Sequence, residues 1–251
     1  MALPIVIVVH GAWHTPANYA SFIAALRAQG FPITSRPSGN WPLSFVAAGQ
    51  RILMIMHSYG GAVGSEAVQG LATPSSPTST APGVIHLLYL CAYILPPAVS
   101  VWDIVVEAGF DRFFDQYVET ADDGSIFPLD PALMFFGGDE TVPKAVIDEA
   151  LKTLVRFPRS APTTRTRTGP KGRGRGAADD DTIHGADDAD YGVPRPYEDI
   201  MLAKVKAQGV QMRIEDLDTC HSVFISRERE MVRLAVEAAQ DERNPTGDSY
   251  V

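Results

Sequence analysis

The stretch ILMIMHSYGGAVG, residues 52–64, decides the fold. An apolar run ends at a serine, and a glycine-rich segment of helical character begins directly after it. A strand that turns sharply into a helix exposes the serine hydroxyl at the edge of a sheet, near the helix N-terminus. The pattern predicts a strand over 51–56, a nucleophilic Ser58 on the turn and a helix over 61–71. Gly60 supplies one of the small residues that such a turn needs.

The position two residues before the serine departs from the usual nucleophile turn, because Met56 stands where a small residue is expected. Methionine is unbranched and adaptable, so the turn is strained but possible. A serine beside a glycine turn with no catalytic role is the alternative, and this stretch alone leaves the choice open.

Strand-like and helix-like segments alternate on both sides of this turn. The other strands are expected over residues 4–9, 31–35, 84–92 and 210–217, and the other core helices over 17–29 and 227–243. The alternation predicts an α/β fold with a mostly parallel sheet flanked by helices. Ligands of such sheets bind at the carboxyl ends of the strands, which is where Ser58 would lie.

The chain of 251 residues is long enough for one core with an insertion. Strand patterns stop over 96–158, which predicts a cap inserted between two halves of the core, 1–95 and 190–251. The helical stretches of this cap are expected over 101–108, 110–117 and 144–155.

Residues 159–189 have an unusual charge pattern. The charged residues are basic up to residue 176, and from residue 179 onward the segment is rich in aspartate and lacks lysine and arginine. The segment lacks apolar periodicity, so no strand is predicted in it. Its composition predicts a disordered loop, or an aberrant stretch from a divergent insertion or a mis-spliced gene model.

Charge and cysteine content narrow the class of protein. The net charge is -9, from 21 basic and 30 acidic residues, which argues against a nucleic-acid partner because phosphate binding needs a basic surface. Cys91 and Cys220 give neither a disulfide framework nor a CxxC metal site, and they suit a reducing compartment. The apolar start at 5–9 is too short to span a membrane. We therefore expect a cytoplasmic protein.

The segment VVHGAW, residues 8–13, follows the first strand at the same edge of the sheet. Its glycine lets the backbone approach closely, so the N–H of Ala12 can lie beside that of Tyr59 and form an oxyanion hole. His10 and His14 are interpreted as structural histidines that bond loop carbonyls. A zinc pair is disfavoured, because the context is not helical and no glutamate stands between them.

A third segment, DLDTCHSVFIS at residues 216–226, lies between the late strand and the terminal helix. His221 is therefore expected on the same rim, where a general base must be to reach Ser58. A lone histidine is more often structural than catalytic. The order serine, acid, histidine along the chain favours the catalytic interpretation.

Five stretches together resemble the α/β-hydrolases. They are IVVHGAWHTPANYASFIAALRAQGF, ILMIMHSYGGAVGSEAV, VIHLLYLCAYILP, DYGVPRPYEDIM and DLDTCHSVFIS. The chain is similar to the branch that includes plant methylesterases and hydroxynitrile lyases, and most similar to a group of fungal and bacterial hydrolases. The resemblance implies an α/β-hydrolase fold, a Ser58 nucleophile, a His221 base and a carboxylate before the histidine.

The resemblance nominates Asp190 as the acid, because family members carry the acid in a loop that DYGVPRPYEDIM matches. The local pattern GGDETVP makes Asp139 the runner-up. Asp216 and Asp218, which are closer to His221 in the sequence, are interpreted as loop or capping residues. A solvated surface charge is the alternative for any aspartate of this acidic region.

Two departures from the family bear on these expectations. The segment between His10 and Ser58 is shorter than in relatives, and no apolar strand is evident before Asp190. A poorly anchored acid could not hold the imidazole tautomer, so a catalytically impaired homologue is one alternative.

The residues and the resemblance predict a serine hydrolase that cleaves a small hydrophobic carboxylic ester or lactone through an acyl-enzyme on Ser58. No metal or cofactor is expected, and the oligomeric state stays open. A lyase that uses the same residues is the alternative; Gly11 disfavours it, because lyases of the family often carry a polar residue there. Aromatic cap residues indicate an apolar substrate, unless they only pack the cap. These residues are Trp102, Phe110, Phe113, Phe114 and Tyr117.

Overall fold

The computed structural model describes residues 2–35, 41–73, 81–137, 139–170, 180–184, 190–210 and 212–240. The strands are β1 Ile5–Val9, β2 Ile33–Ser35, β3 Arg51–His57, β4 Gly83–Leu90, β5 Val118–Thr120, β6 Ser125–Pro128, β7 Phe157–Pro158, β8 Asp180–His184 and β9 Met212–Asp216. The α-helices are α1 Ala20–Ala28, α2 Trp41–Ala47, α3 Gly60–Ala67, α4 Val101–Glu107, α5 Phe114–Tyr117, α6 Pro131–Phe136, α7 Lys144–Leu151, α8 Ser160–Thr163, α9 Arg195–Lys206, α10 Val223–Ser226 and α11 Glu228–Gln240. Short 3₁₀ helices lie at Pro16–Tyr19 and Asp111–Phe113.

Six strands form one parallel sheet in the order β2-β1-β3-β4-β8-β9. The central strands β3 and β4 are apolar and buried along nearly their whole length, as expected for strands covered on both faces. This arrangement confirms the predicted α/β fold with a mostly parallel sheet.

Alternate residues of the strands β1, β3 and β4 feed two apolar cores, one on each face of the sheet. On one face Leu53 and Ile55 pack with Phe22 of α1 and Leu234 of α11. On the other face Met54 lies among residues that include Val68 and Val205. Each fully buried side chain of this size stabilises the fold by about 1.5–3 kcal/mol, so these cores fix the strand ends that carry the loops of the site.

The cap differs from the sequence prediction in its secondary structure. Besides helices, it contains a three-stranded antiparallel sheet in the order β5-β6-β7. These strands are two to four residues long, too short for a period of two to be visible in the sequence. The helix expected over 110–117 is divided into a 3₁₀ turn and α5, and the one expected over 144–155 ends at Leu151.

The expectation that no strand lies in 159–189 is wrong, because β8 occupies Asp180–His184. It pairs in parallel with β4 on one side and with β9 on the other. Backbone hydrogen bonds to two neighbours define this strand, and a search for apolar runs does not detect them. Residues 159–170 of the predicted disordered segment are also structured, since they include α8 and Thr166 exchanges backbone hydrogen bonds with Ala98 and Val99. The other parts of this segment, 171–179 and 185–189, lie outside the described residues. The proposed domain boundaries stay a prediction.

Candidate active site

Ser58 lies at the sharp turn between β3 and α3. Its φ is 55°, in the left-handed region, and the residue is only 5% exposed. Its N–H donates to the carbonyl of Leu90, while its own carbonyl accepts from the N–H groups of Gly61 and Tyr93. A non-glycine residue with this φ is strained and persists only where the surroundings hold it. The turn therefore has the geometry of a nucleophile elbow.

Glycines make the close packing of this turn possible. A Cβ on Gly60 would lie 2.4 Å from the carbonyl oxygen of Val9, and one on Gly61 would lie 2.5 Å from that of Tyr93. Gly64 explains how Met56 is tolerated where a small residue is expected, because a Cβ there would lie 2.4 Å from the methionine sulfur. The volume missing at position 64 accommodates the side chain added at position 56.

The loop after β1 lies directly against the serine. A Cβ on Gly11 would come within 2.7 Å of the Cβ of Ser58 and 3.2 Å of its Oγ. Ala12 and Tyr59 both line the cavity that contains Ser58. The two residues predicted to form the oxyanion hole thus line the same cavity as the serine.

His221 and Asp190 meet beside this turn. The imidazole Nδ1 of His221 lies 2.8 Å from Oδ1 of Asp190, and both side chains are almost completely buried. The same carboxylate oxygen accepts the N–H groups of Gly192, at 2.9 Å, and Val193, at 2.7 Å. Gly192 covers the imidazole, since a Cβ there would lie 2.7 Å from three ring atoms. Hydrogen bonds within its own loop therefore hold the carboxylate in the position in which it contacts His221.

The other acidic candidates have different partners. Asp139 accepts hydrogen bonds from the N–H and hydroxyl of Thr141, and its Oδ2 lies 3.8 Å from a guanidinium nitrogen of Arg227. Asp216 is exposed and forms an ion pair with Arg195 at 2.5 Å. Asp218 is also exposed, and its carbonyl accepts from Arg227. Of the four aspartates weighed from the sequence, Asp190 is the one whose carboxylate contacts the imidazole.

Tyr19 and His57 link the three segments of the site, and sequence reasoning did not single them out. The N–H of Gly11 donates to the Tyr19 hydroxyl at 3.1 Å, and that hydroxyl donates to Nδ1 of His57 at 2.7 Å. Nε2 of His57 lies 3.0 Å from the carbonyl oxygen of His221, which can only accept, so Nε2 carries the proton. A histidine at the end of an apolar strand is the sequence signal that could have revealed this chain of hydrogen bonds.

Two buried histidines, His57 and His14, are held in their neutral form. Burial lowers the pKa of His57 well below its usual value, and nearby His221 lowers it further. Burial lowers the pKa of His14 to about 3, although its hydrogen bond to the carbonyl of Ala12 acts in the opposite direction. His10 also contacts a loop carbonyl, that of Gly11. Both residues interpreted as structural thus bond loop carbonyls.

Ser58 and Asp190 open onto a cavity of about 430 Å³, a size typical of small-molecule sites. Its wall is mainly aromatic and aliphatic. Core and cap both contribute to it, and the contributors include Trp13, Trp102, Phe114, Tyr117, Ile126 and Phe157. Of the aromatic cap residues noted in the sequence, Trp102, Phe110, Phe114 and Tyr117 line this cavity, and Phe113 is not among the residues that line it. A ligand in this cavity would contact apolar surface next to the serine hydroxyl.

Three polar side chains on this wall form hydrogen bonds within the protein. The hydroxyl of Tyr59 donates to the carbonyl of Ala161, that of Tyr93 to the carbonyl of Gly192, and the indole N–H of Trp13 to the carbonyl of Ile126. Among the described residues that line the cavity, Asp190 alone has an ionisable acidic or basic side chain of the Asp, Glu, Lys, Arg or His type. The described part of the wall is therefore mainly apolar and includes no Lys, Arg or His.

Within the described residues, no group of three or more His, Cys, Asp or Glu side chains is arranged to hold a metal ion. In the same part of the chain, every helix is too short or too polar to cross a lipid bilayer.

Comparison with known proteins agrees with this geometry. The profile of the alpha/beta hydrolase family matches residues 6–234. The chain belongs to the alpha/beta hydrolase family. A curated fungal relative, the alpha/beta hydrolase nvfD of Aspergillus novofumigatus, is 29% identical over 120 residues, which are 40% of this chain and 48% of that protein. The chain thus spans about half the length of this relative.

Solved structures share the fold at low sequence identity. A pyrethroid hydrolase from Sphingobium faniae JZ-2 is 19% identical with a TM-score of 0.65, and the match covers 94% of this chain and 97% of that one. Tomato methylketone synthase I, solved with 2-tridecanone, is 13% identical with a TM-score of 0.70, over 97% and 100% of the two chains. Polyneuridine aldehyde esterase, solved as a histidine-to-alanine mutant, is 12% identical with a TM-score of 0.66, over 93% and 98%.

Proposed function

We propose that the protein is a serine hydrolase that cleaves small, uncharged, hydrophobic carboxylic esters or lactones through an acyl-enzyme on Ser58. The observation that carries the proposal is the strained serine turn on an apolar cavity, beside a buried pair of His221 and Asp190. Names of structural neighbours, an esterase and a pyrethroid hydrolase, support ester chemistry.

In the proposed reaction the Ser58 oxygen attacks the ester carbonyl carbon, and His221 accepts the hydroxyl proton. The carbonyl oxygen becomes an oxyanion, held by the N–H groups of Ala12 and Tyr59. His221 then returns the proton to the leaving alcohol. Water repeats the two steps on the acyl-enzyme and releases the acid. Asp190 orients the imidazole and stabilises its charged form throughout.

The cavity wall supports an uncharged substrate. Polar groups of Trp13, Tyr59 and Tyr93 already bond to backbone carbonyls, and the described residues that line the cavity include no Lys, Arg or His, so an anionic substituent would lose hydration without gaining a cationic partner. The carboxylate of Asp190 adds repulsion for an anion. Tomato methylketone synthase I, whose structure contains 2-tridecanone, is a neighbour with an apolar ligand in its crystal.

The first test is hydrolysis of p-nitrophenyl butanoate and octanoate by the purified protein and by Ser58→Ala. We expect the variant to lose activity by at least about a thousandfold, because it lacks the nucleophile. Ser65→Ala is the matched control, since Ser65 is a buried serine on the following helix whose hydroxyl donates to the carbonyl of Gly61. This control should retain activity and label with a fluorophosphonate.

Substrate charge is tested with p-nitrophenyl pentanoate and the mono-p-nitrophenyl ester of glutaric acid, which are similar in length. We expect the anionic ester to react at least tenfold more slowly in kcat/KM, since tenfold requires only about 1.4 kcal/mol of repulsion and desolvation. Equal rates would contradict the uncharged substrate class, while persistent activity in Ser58→Ala would contradict the nucleophile.

We also propose that the reaction takes place in the cytoplasm on a free small molecule. Cys91 and Cys220 are both buried, and neither forms a disulfide, which suits a reducing compartment.

A further inference from the structure

Trp13 connects the proposed oxyanion loop to the cap. It follows Ala12 directly, and its φ of 61° lies in the left-handed region that a bulky residue rarely adopts. Its indole N–H donates to the carbonyl of Ile126 at 2.9 Å, and its own carbonyl accepts the N–H of Val155 at 2.8 Å. Both partners belong to the cap. Two hydrogen bonds from the cap thus hold the strained conformation.

Phe157 of the same cap segment lies against the residues that flank the serine site. Its ring centroid is 5.9 Å from that of Trp13 and 5.1 Å from that of Tyr59. The hydroxyl of Tyr59 donates to the carbonyl of Ala161 at 2.9 Å. Residues 155–161, here named the clamp segment, therefore contact both sides of the proposed oxyanion hole.

The rest of the oxyanion loop is held by the core. The N–H of Gly11 donates to Tyr19, and the carbonyl of Ala12 accepts from the imidazole of His14 at 2.8 Å. These bonds fix the peptide before Gly11 and the peptide after Ala12, and the cap fixes the following residue, Trp13. The direction of the Ala12 N–H depends on both sets of contacts.

We infer that Trp13 is a positioning residue, through which the clamp segment sets the direction of the Ala12 N–H toward the oxyanion. This inference rests on the proposed function. A site whose donors are fixed in advance stabilises the transition state, and a shift of about 1 Å can cost about a hundredfold in rate. The oxyanion hole is then complete only when the cap is docked against Trp13.

The competing explanation is that Trp13 only shapes the cavity wall, of which it is a part. The two explanations differ in what they predict for ligands. A wall residue affects every ligand that touches it, whereas a positioning residue affects only species that carry the oxyanion.

Two ketones with the same apolar chain separate these effects: a trifluoromethyl ketone and the corresponding methyl ketone. In the first, the Ser58 oxygen adds to the carbonyl carbon, the serine proton passes to His221, and the carbonyl π electrons move to the oxygen. The product is a hemiketal oxyanion in the proposed hole. The methyl ketone binds the same wall without forming this adduct to a comparable extent.

The experiment measures inhibition constants of both ketones against wild type, Trp13→Phe and Trp102→Phe. Trp102 lines the same cavity but lies on α4, away from the oxyanion loop. For Trp13→Phe we expect about 10- to 100-fold weaker binding of the trifluoromethyl ketone and less than threefold change for the methyl ketone. For Trp102→Phe we expect both constants to change by the same factor.

Parallel losses for the two ketones in Trp13→Phe, or no loss, would overturn the inference. If Trp13→Phe does not fold, Phe157→Leu serves instead, since it alters the clamp segment and leaves the oxyanion loop intact; the same selective loss supports the inference and a parallel loss or none overturns it. Ser58→Ala is measured alongside. If it binds the trifluoromethyl ketone as tightly as wild type does, the proposed nucleophile fails, and the inference fails with it.

Discussion

The Asp190 loop and the Asp139 loop each present a buried carboxylate near the histidine segment. Both carboxylates accept an N–H from the residue two positions later, Gly192 in one loop and Thr141 in the other. Each also lies near a buried thiol: burial and then the charge of Asp190 raise the pKa of Cys91, and the charge of Asp139 adds to the effect of burial in raising the pKa of Cys220.

The two loops differ in where the fold puts them. Asp190 follows β8 on the rim of the parallel sheet and lies 2.8 Å from the imidazole of His221. Asp139 follows α6 in the cap and faces the guanidinium of Arg227. Two similar local turns therefore place their carboxylates against different partners. The topology of the fold, more than the local sequence, decides which carboxylate contacts the histidine.

The largest expected effect comes from Asp190→Asn. Asparagine keeps an oxygen for the N–H groups of Gly192 and Val193, so the loop should fold. It cannot stabilise the imidazolium or hold the correct tautomer, and we expect kcat to fall about 10³- to 10⁴-fold. Ester hydrolysis measures the loss, and thermal unfolding checks the fold. A loss below tenfold would remove Asp190 from its proposed role.

A smaller effect, on folding stability, is expected from Glu198→Gln, which changes a buried carboxyl group near Asp190. Glu198 is buried on α9, and burial, with a contribution from the charge of Asp190, raises its pKa from 4.5 to about 10. Between these values the folded protein keeps a proton that the unfolded chain has lost. Folding stability therefore falls as pH rises through this window.

Glutamine is neutral at every pH, so the variant should lose this dependence. We expect it to exceed wild type in unfolding free energy by at least about 1 kcal/mol at pH 8, which is about 2–4 °C in Tm, and to match it near pH 5. Glu149→Gln is the control, because Glu149 is 73% exposed and should show no such difference. Identical pH profiles for Glu198→Gln and wild type would contradict a protonated, buried Glu198.

The smallest effect on catalysis is expected from Asp139→Asn. Burial raises the pKa of Asp139, but its hydrogen bonds with Thr141 and the charge of Arg227 outweigh burial, so the pKa is lowered. Its charge therefore serves the cap contact, and kcat should stay within about threefold of wild type while unfolding free energy falls by about 1 kcal/mol. Steady-state kinetics and thermal unfolding measure both. A loss of kcat like that of Asp190→Asn would reverse the comparison.

The sequence predicted the core well because its signals are strong there. Continuous apolar runs mark β1, β3 and β4, and the glycine-rich turn after β3 marks Ser58. The chain order and the family pattern brought His221 and Asp190 into consideration, and the structure places them in contact. The catalytic roles of these residues, and the oxyanion donors, stay predictions.

The parts that sequence reasoning missed depend on contacts between distant segments. β8 is defined by its pairing with two neighbours, and the cap sheet consists of very short strands. To predict that Gly64 makes room for Met56, one must know how closely α3 packs against β3. The chain from Gly11 through Tyr19 to His57 joins three loops, and no local pattern encodes such a network.

The crowding at Gly11 has a consequence for how the protein can evolve. Any Cβ at this position would lie 2.7 Å from the Cβ of Ser58 and 2.9 Å from Nδ1 of His57, so a side chain requires the loop or these neighbours to shift. Replacement of Gly11 by any larger residue is thus coupled to a change in the packing around the serine turn. A descendant of this chain that acquires a side chain at position 11 would have to remodel the loop after β1 or the turn at Ser58 as well.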